Sequence, residues 1–243
     1  MAALQQQPAP GNGRLRAQWV GAAAAAAVIG IMMLALLPAP AAPFFQGIDR
    51  WWHAATVAPA GYEPNGLVAF LDAFGRPPGL LVLPVLLAIL MFARRWWAAL
   101  FTVLCYTVPM VLAQVVKNVV DRPRPANPLV IVDHGSFPSG HVVSTTAFVI
   151  MVAVLLAPSV RRWWWPAGIV FVAVMMWSRT FLGAHWLSDT VAGAVLGAGA
   201  TLALWWLFAP LVARDEARRT GRRIRRHPSP ALFEPSTTKD LLP

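Results

Sequence analysis

Six apolar stretches divide the sequence, and they restrict the possible fold more than any other feature. They cover residues 19–37, 78–93, 96–116, 142–157, 163–177 and 190–208. A bilayer-crossing helix needs about 20 residues, so the short second and fifth stretches must borrow interfacial residues such as Trp163 and Trp164. The chain is 58% hydrophobic and 12% charged, whereas a soluble domain is ordinarily ~45–50% apolar and ~25% charged. We therefore predict an all-α, polytopic membrane protein with six transmembrane helices.

The positive residues are unevenly distributed between the two sides of such a protein. Six spans put both termini on one side, which then holds 14 of the 20 Lys and Arg residues. Arg94-Arg95 and Arg161-Arg162 mark short loops on that side, and the rest flank the first and last spans. Because such residues stay in the cytoplasm, we predict cytosolic termini and opposite loops that face outward from the cell membrane. This distribution also argues against a nucleic-acid partner, despite a net charge of +10.

The chain is predicted to have four regions. Residues 1–17 form a disordered cytosolic N-terminus, 18–77 the first span with an outer interfacial connection, 78–208 a core with five spans, and 209–243 a basic cytosolic tail containing Pro and Ser. The first span resembles a signal peptide, but its length exceeds the usual ~7–15-residue signal core, so we expect a retained anchor. Aromatic and polar residues alternate irregularly over 44–57, which indicates either an interfacial helix or a structured loop.

Polar residues concentrate in three short segments that adjoin the spans. The first runs from Lys117 to Pro125, the second is Pro138-Ser139-Gly140-His141, and the third runs from Ser178 to Asp189. Together they supply three cations, two histidines, a Ser-Gly pair and an acid, namely Lys117, Arg124, Arg179, His141, His185, Ser139, Gly140 and Asp189. Ionisable residues beside membrane spans are costly to hold there, so such a cluster predicts a functional site at the outer ends of the helices.

The third segment pairs a histidine with an acid. His185 and Asp189 are four residues apart, so on a helix they share a face. Asp189 can then orient one ring nitrogen and leave the other free to attack; the alternative is a helix-terminal hydrogen bond without chemistry. His141 is a residue type that transfers protons near neutral pH, or it only caps a helix.

The remaining motif residues are of types that bind phosphate. Lys117, Arg124 and Arg179 can stabilise the charge on the equatorial oxygens of a phosphoryl group. Ser139 and Gly140 precede the fourth span, where backbone N–H groups bind anions.

Three neighbouring residues are expected to lie outside the site. We expect Arg122 to be solvated or paired with Asp121. We expect Asp133 and His134 to lie on the surface, with contact to the substrate as the alternative.

The pattern Lys-x6-Arg-Pro, Pro-Ser-Gly-His, Ser-Arg-x5-His-x3-Asp resembles the signature of the type 2 phosphatidic-acid phosphatase superfamily. The match covers residues 117–189. The resemblance implies that His185 is a nucleophile that forms a phosphohistidine. It also implies that Ser139 binds phosphate, and that His141 protonates the leaving group and later activates water. No cofactor or metal is expected, because the three cations take the place of magnesium.

The resemblance implies that residues 78–208 form a phosphatase core and that the protein is a membrane lipid-phosphate phosphatase. Its expected partners are membrane lipids and a lipid phosphate substrate of the polyprenyl diphosphate, phosphatidate or phosphatidylglycerol phosphate class. A lipid phosphotransferase that uses a second lipid as acceptor is one alternative. A non-catalytic lipid-phosphate binding or transport protein is another.

Overall fold

The structure is a computed structural model that describes residues 12–75, 82–219 and 221. Every regular element within these ranges is an α-helix, which confirms the predicted all-α fold. The helices are α1 (Asn12–Leu36), α2 (Gln46–Thr56), α3 (Gly66–Phe74), α4 (Val82–Phe92), α5 (Trp96–Val120), α6 (Gly140–Leu155), α7 (Pro158–Phe181) and α8 (Leu187–Arg219). The predicted disordered N-terminus and basic tail lie largely outside the described residues, although α1 begins at Asn12 and α8 continues to Arg219.

Three of the helices are long and apolar enough to cross a membrane. Their candidate spans are Trp19–Leu36, Trp96–Val120 and Leu187–Arg218, and the shorter helices Val82–Phe92 and Gly140–Leu155 are also apolar. The helix α7 has 24 residues, a length of about 36 Å, and includes Arg161 and Arg162. These two arginines therefore lie inside a helix, and their predicted position in a short loop is wrong.

The last helix, α8, occupies the centre of the bundle and packs against α1, α5 and α6. Its side towards α6 carries glycines at the points of closest approach. A Cβ added at Gly193 would lie 2.7 Å from the Ser139 carbonyl oxygen, and one at Gly197 would lie 2.6 Å from that of Val143. Small residues of this kind let two helix backbones approach closely, and here they bring the start of α6 against the start of α8.

A buried carboxylate joins α8 to α5 at the end of the bundle away from these contacts. Asp215 is 3% exposed, and its Oδ2 accepts hydrogen bonds from the backbone N–H groups of Trp97 at 2.7 Å and Ala98 at 3.2 Å. A negative charge at a helix N-terminus is stabilising, so Asp215 fixes the start of α5 against α8. The opposite ends of these two helices carry the polar motifs.

Two short helices, α2 and α3, lie in the connection between α1 and α4. The segment 44–57, for which the sequence allowed a helix or a loop, contains α2. Phe44, Ile48 and Trp51 are exposed while Gln46 and Asp49 are buried, so α2 turns apolar side chains outward and polar ones towards the bundle.

Candidate active site

The three polar motifs meet in one cavity of about 400 Å³ where the helices end. Lys117 comes from the last turn of α5, His141 from the first turn of α6 and Arg179 from the last turn of α7. Arg124 and His185 come from the loops after α5 and α7. All five line the cavity, together with Gly140, so the structure brings together residues that are far apart in the sequence.

His185 is buried and its two ring nitrogens have different neighbours. Nδ1 lies 2.7 Å from the carbonyl oxygen of Ser136, and Nε2 lies 3.2 Å from Nη1 of Arg124. A carbonyl only accepts and a guanidinium only donates, so both neighbours select the tautomer with hydrogen on Nδ1 and a lone pair on Nε2. Burial, followed by the positive charges of Arg124, Lys117 and Arg179, holds the pKa of His185 well below its ordinary value of 6.5. The ring is therefore neutral at pH 7.

Asp189 lies behind this ring, but not in the predicted arrangement. His185 lies in the turn before α8, so the two residues do not share a helix face. Asp189 Oδ2 is 3.8 Å from Nδ1 and accepts the backbone N–H of Trp186 at 2.9 Å. The direct acceptor of the imidazole N–H is the backbone of Ser136, which side-chain patterns do not reveal.

Arg122 is wholly buried, and its predicted solvated position is wrong. Its Nη1 lies 2.6 Å from Oδ1 of Asp189, and its Nη2 lies 2.7 Å from Oδ2 of Asp49. Nη2 also donates to Gln46 Oε1 at 2.6 Å. The hydroxyl of Ser188 lies 2.7 Å from Nη1 and 2.6 Å from Asp49. Buried charges require this kind of pairing, so Arg122 ties α2 to the start of α8 directly beneath His185.

Asp133 contacts two of the cavity's cations, which the predicted surface position did not anticipate. Its Oδ1 lies 3.4 Å from Nζ of Lys117 and also pairs with Nη2 of Arg124. Both cations further donate to the carbonyl oxygen of Gly135, at 2.8 and 2.9 Å. Burial acts to raise the pKa of Asp133, but Lys117 and Arg124 outweigh it and hold the pKa below its ordinary value. The ionised carboxylate of Asp133 therefore pairs with Lys117 and Arg124.

The third cation, Arg179, contacts an acid from the outer connection. Its Nη1 lies 2.6 Å from Oδ1 of Asp72 on α3. Nε2 of His141 lies 3.1 Å from the backbone carbonyl oxygen of the same residue. The sequence motifs do not include Asp72, and nothing in the spacing distinguishes it from the other acids of the connection.

Ser139 and Gly140 begin α6 beside the cavity. The hydroxyl of Ser139 is buried and has no hydrogen-bond partner among the described residues, while its backbone N–H donates to the carbonyl of Asp189 at 3.0 Å. A buried polar atom is normally paired, so this hydroxyl is available to a ligand. A Cβ at Gly140 would lie 3.5 Å from Met110, an ordinary contact, so packing alone does not require glycine there.

A bundle of apolar helices with a cationic, histidine-containing cavity at one end is typical of a membrane protein whose polar site lies where the helices end. The model of the family described as the PAP2 superfamily matches residues 96–212. The chain is also 30% identical over 142 residues to the phosphatidylglycerophosphatase B of Bacillus subtilis, covering 55% of this chain and 70% of that protein. The chain belongs to the PAP2 superfamily.

Other relatives are matched over smaller shares of their length. The undecaprenyl-diphosphatase of Sulfolobus acidocaldarius is 33% identical over 142 residues, covering 55% of this chain and 65% of that protein. The decaprenylphosphoryl-5-phosphoribose phosphatase of Mycolicibacterium smegmatis is 44% identical over 86 residues, covering 33% and 44%. The matches thus span less than two thirds of these two proteins.

A solved structure shares the fold. It is the crystal structure of a transmembrane PAP2 type phosphatidylglycerolphosphate phosphatase from Bacillus subtilis, with a TM-score of 0.62 and 25% sequence identity. The likeness covers 77% of this chain and 96% of that one.

Proposed function

We propose that this protein is a membrane lipid-phosphate phosphatase that hydrolyses phosphomonoester or diphosphate head groups through a phosphohistidine on His185. The observation that carries the proposal is the unprotonated Nε2 of His185, which faces Arg124 in a cavity lined by Lys117, Arg124 and Arg179. The names of the matched relatives, all phosphatases of lipid-linked phosphates, support the same class of reaction.

The first half-reaction transfers the phosphoryl group to the enzyme. The lone pair of Nε2 attacks phosphorus, the bond to the leaving oxygen breaks, and that oxygen takes a proton from His141. Lys117, Arg124 and Arg179 contact the non-bridging oxygens and stabilise their charge. The hydroxyl of Ser139 is a further donor to these oxygens.

The second half-reaction returns the enzyme to its starting state. His141, now neutral, removes a proton from water as the water oxygen attacks phosphorus. The P–N bond breaks and its electron pair returns to Nε2 of His185. The phosphorylated imidazole is cationic, and the carboxylate of Asp189, 3.8 Å from Nδ1, stabilises it electrostatically with the Ser136 carbonyl fixing the ring.

The lipid nature of the substrate is supported by the surroundings of the cavity. Phe44 just before α2, Trp51 on α2, and Leu67 and Phe70 on α3 are exposed. Such apolar side chains suit contact with acyl or isoprenoid chains rather than water. We place the cavity at the outer face of the cell membrane, with six spans and cytosolic termini, because the positive residues gather at the other end of the bundle. Polyprenyl diphosphate, phosphatidate and phosphatidylglycerol phosphate are then the candidate substrates.

The test is phosphate release by the purified protein from these three lipids in one detergent. His185→Ala should abolish release, because it removes the nitrogen that forms the covalent intermediate. The matched control is His134→Ala, an exposed histidine of the nearby loop, which should keep normal turnover. Activity should survive EDTA and be inhibited by orthovanadate, which adopts the five-coordinate geometry of phosphoryl transfer. Near-normal turnover by His185→Ala would refute the mechanism.

A further inference from the structure

The acid on α3 contacts two residues of the proposed mechanism at once. Asp72 Oδ1 lies 2.6 Å from Nη1 of Arg179 and 3.6 Å from Nε2 of His141, and its backbone oxygen lies 3.1 Å from the same Nε2. Its side chain is 16% exposed. The residue lies far from the three motifs in sequence but against two of them in space.

The contact with the backbone oxygen fixes the hydrogen on His141. A carbonyl oxygen only accepts, so Nε2 carries a hydrogen and Nδ1 is left to exchange a proton. A carboxylate oxygen 3.6 Å from Nε2 favours the doubly protonated, cationic ring. A general acid must hold that extra proton before the reaction begins.

The other charged groups around His141 do not supply this stabilisation. Arg179 on α7, Lys117 on α5 and Arg124 bring positive charge to the same cavity, and His185 faces it from the turn before α8. Asp133 also lines the cavity, but its carboxylate lies on Lys117 and Arg124. Asp72 is therefore the acid placed to offset the positive charge next to the His141 ring.

The C-terminal end of α3 packs directly against the His141 ring. A Cβ added at Gly75, the C-cap of α3, would lie 2.0 Å from Cδ2 and 2.4 Å from Cγ of His141. No side chain fits at that distance, so the absence of one at Gly75 lets the backbone that carries Asp72 rest against His141. Packing of the Gly75 backbone against the His141 ring is thus a contact separate from the hydrogen bond between His141 and the Asp72 backbone.

We infer that Asp72 is a positioning residue that favours the protonated form of His141 needed by the leaving group and holds Arg179 in place for phosphate. The inference rests on the proposed function, since it assigns His141 as the acid. Arg179 has five N–H donors, and the contact with Asp72 uses Nη1. After Nδ1 gives its proton to the leaving oxygen, the Nε2–H bond to Asp72 remains and Nδ1 is free to deprotonate water.

The test is Asp72→Asn, assayed across pH with two kinds of leaving group. With a lipid phosphate, kcat should fall by about 10- to 100-fold, part of the ~10²–10⁴-fold that a general acid contributes. The alkaline limb of the kcat profile should move to lower pH, because the imidazolium loses its carboxylate. With 4-nitrophenyl phosphate, whose leaving group needs no protonation, kcat should fall much less. Asp72→Glu should restore the limb, and the exposed acid variant Glu63→Gln should behave as wild type.

His141→Gln separates this inference from the proposed function. It should show the same dependence on leaving group, and adding Asp72→Asn to it should leave that dependence unchanged, with any further loss of activity, acting through Arg179, equal on both substrates. Equal loss on both substrates with an unmoved limb, or a rise in KM alone, would overturn the role on His141. Failure of the proposed function would appear differently, as no phosphate release by the wild-type protein or undiminished release by His185→Ala.

Discussion

Replacing Arg122 by methionine should destabilise this protein more than almost any other single substitution. The guanidinium is wholly buried and neutralises two carboxylates that are themselves 1% and 0% exposed, Asp49 and Asp189. Removing one partner of a buried ion pair costs about 3–5 kcal/mol, because the remaining charge stays buried without a partner. Here two charges lose their partner, so we expect the upper part of that range. Total stabilities are about 5–15 kcal/mol, so the loss is a large fraction.

The measurement is thermal unfolding of the purified variant in one detergent, with phosphate release in parallel. For a chain of this size a loss of 3–5 kcal/mol lowers Tm by about 6–20 °C. The matched control is Arg50→Met, an exposed arginine on the same helix α2, which should change stability by no more than about 0.5 kcal/mol. Phosphate release by Arg122→Met should also fall, because Asp189 loses the contact that holds it behind His185.

A second substitution tests whether charge is the cause. Asp49→Asn in the Arg122→Met background removes one of the two orphaned charges, so it should recover about 1–2 kcal/mol, within the usual range for coupled sites. If Arg122→Met melted like Arg50→Met, or if the double variant lost the sum of the two single losses, the buried charge network would not be what stabilises this part of the fold.

Three further outcomes are expected. Asp133→Asn should lower the Ki of inorganic phosphate about two- to fivefold, the effect of a half-exposed ion pair, because the carboxylate no longer competes for the cations; an unchanged Ki would contradict this. The pKa of His185 is depressed, so diethyl pyrocarbonate should carbethoxylate this residue down to a pH well below 6.5, as measured by mass spectrometry. Half-labelling at pH 6.5 or above would refute the assignment of a neutral ring. The orientation can be tested with single cysteines in a Cys105→Ala background. A cysteine replacing Ile131, which is 86% exposed, should react with an impermeant thiol reagent in intact cells, whereas one replacing Arg218 should react only after lysis. The reverse pattern would place the cavity in the cytosol.

The sequence predicted the motif residues better than the contacts that hold them. Motif spacing selected six residues that line the cavity, but it also selected Ser139 and Asp189, which do not line it, and it missed Asp133, which does. The role of Arg122 was missed because its partner Asp49 is 73 residues away, and charge alone does not identify a partner. One signal was available: Gln46 and Asp49 are three residues apart, so on a helix they share a face, opposite the aromatic residues.

The helix boundaries were likewise predicted only in part. The apolar stretches located the cores of the long helices, but α8 continues to Arg219 and α7 begins at Pro158, beyond the stretches on which they were predicted. Polar ends such as that containing Asp215 are helical because of tertiary contacts with α5, and hydropathy does not report these contacts. The acid Asp72 was overlooked for the same reason, since its importance comes only from what α3 lies against.

The buried network around Arg122 can be completed only late in the synthesis of the chain. Ser188 leaves the ribosome 139 residues after Asp49, an interval of roughly 7–30 s at ~5–20 residues per second. Asp189 follows Arg122 by 67 residues, so for roughly the last 3–13 s of that interval the nascent chain has α2 and Arg122 but not the carboxylate of Asp189. The end of the bundle that carries the cavity can therefore acquire its final form only when α8, the last of the described helices, packs against α1, α5 and α6. A chain that stops before α8 leaves Arg122 paired with Asp49 but without the carboxylate of Asp189, which its Nη1 contacts in the full protein.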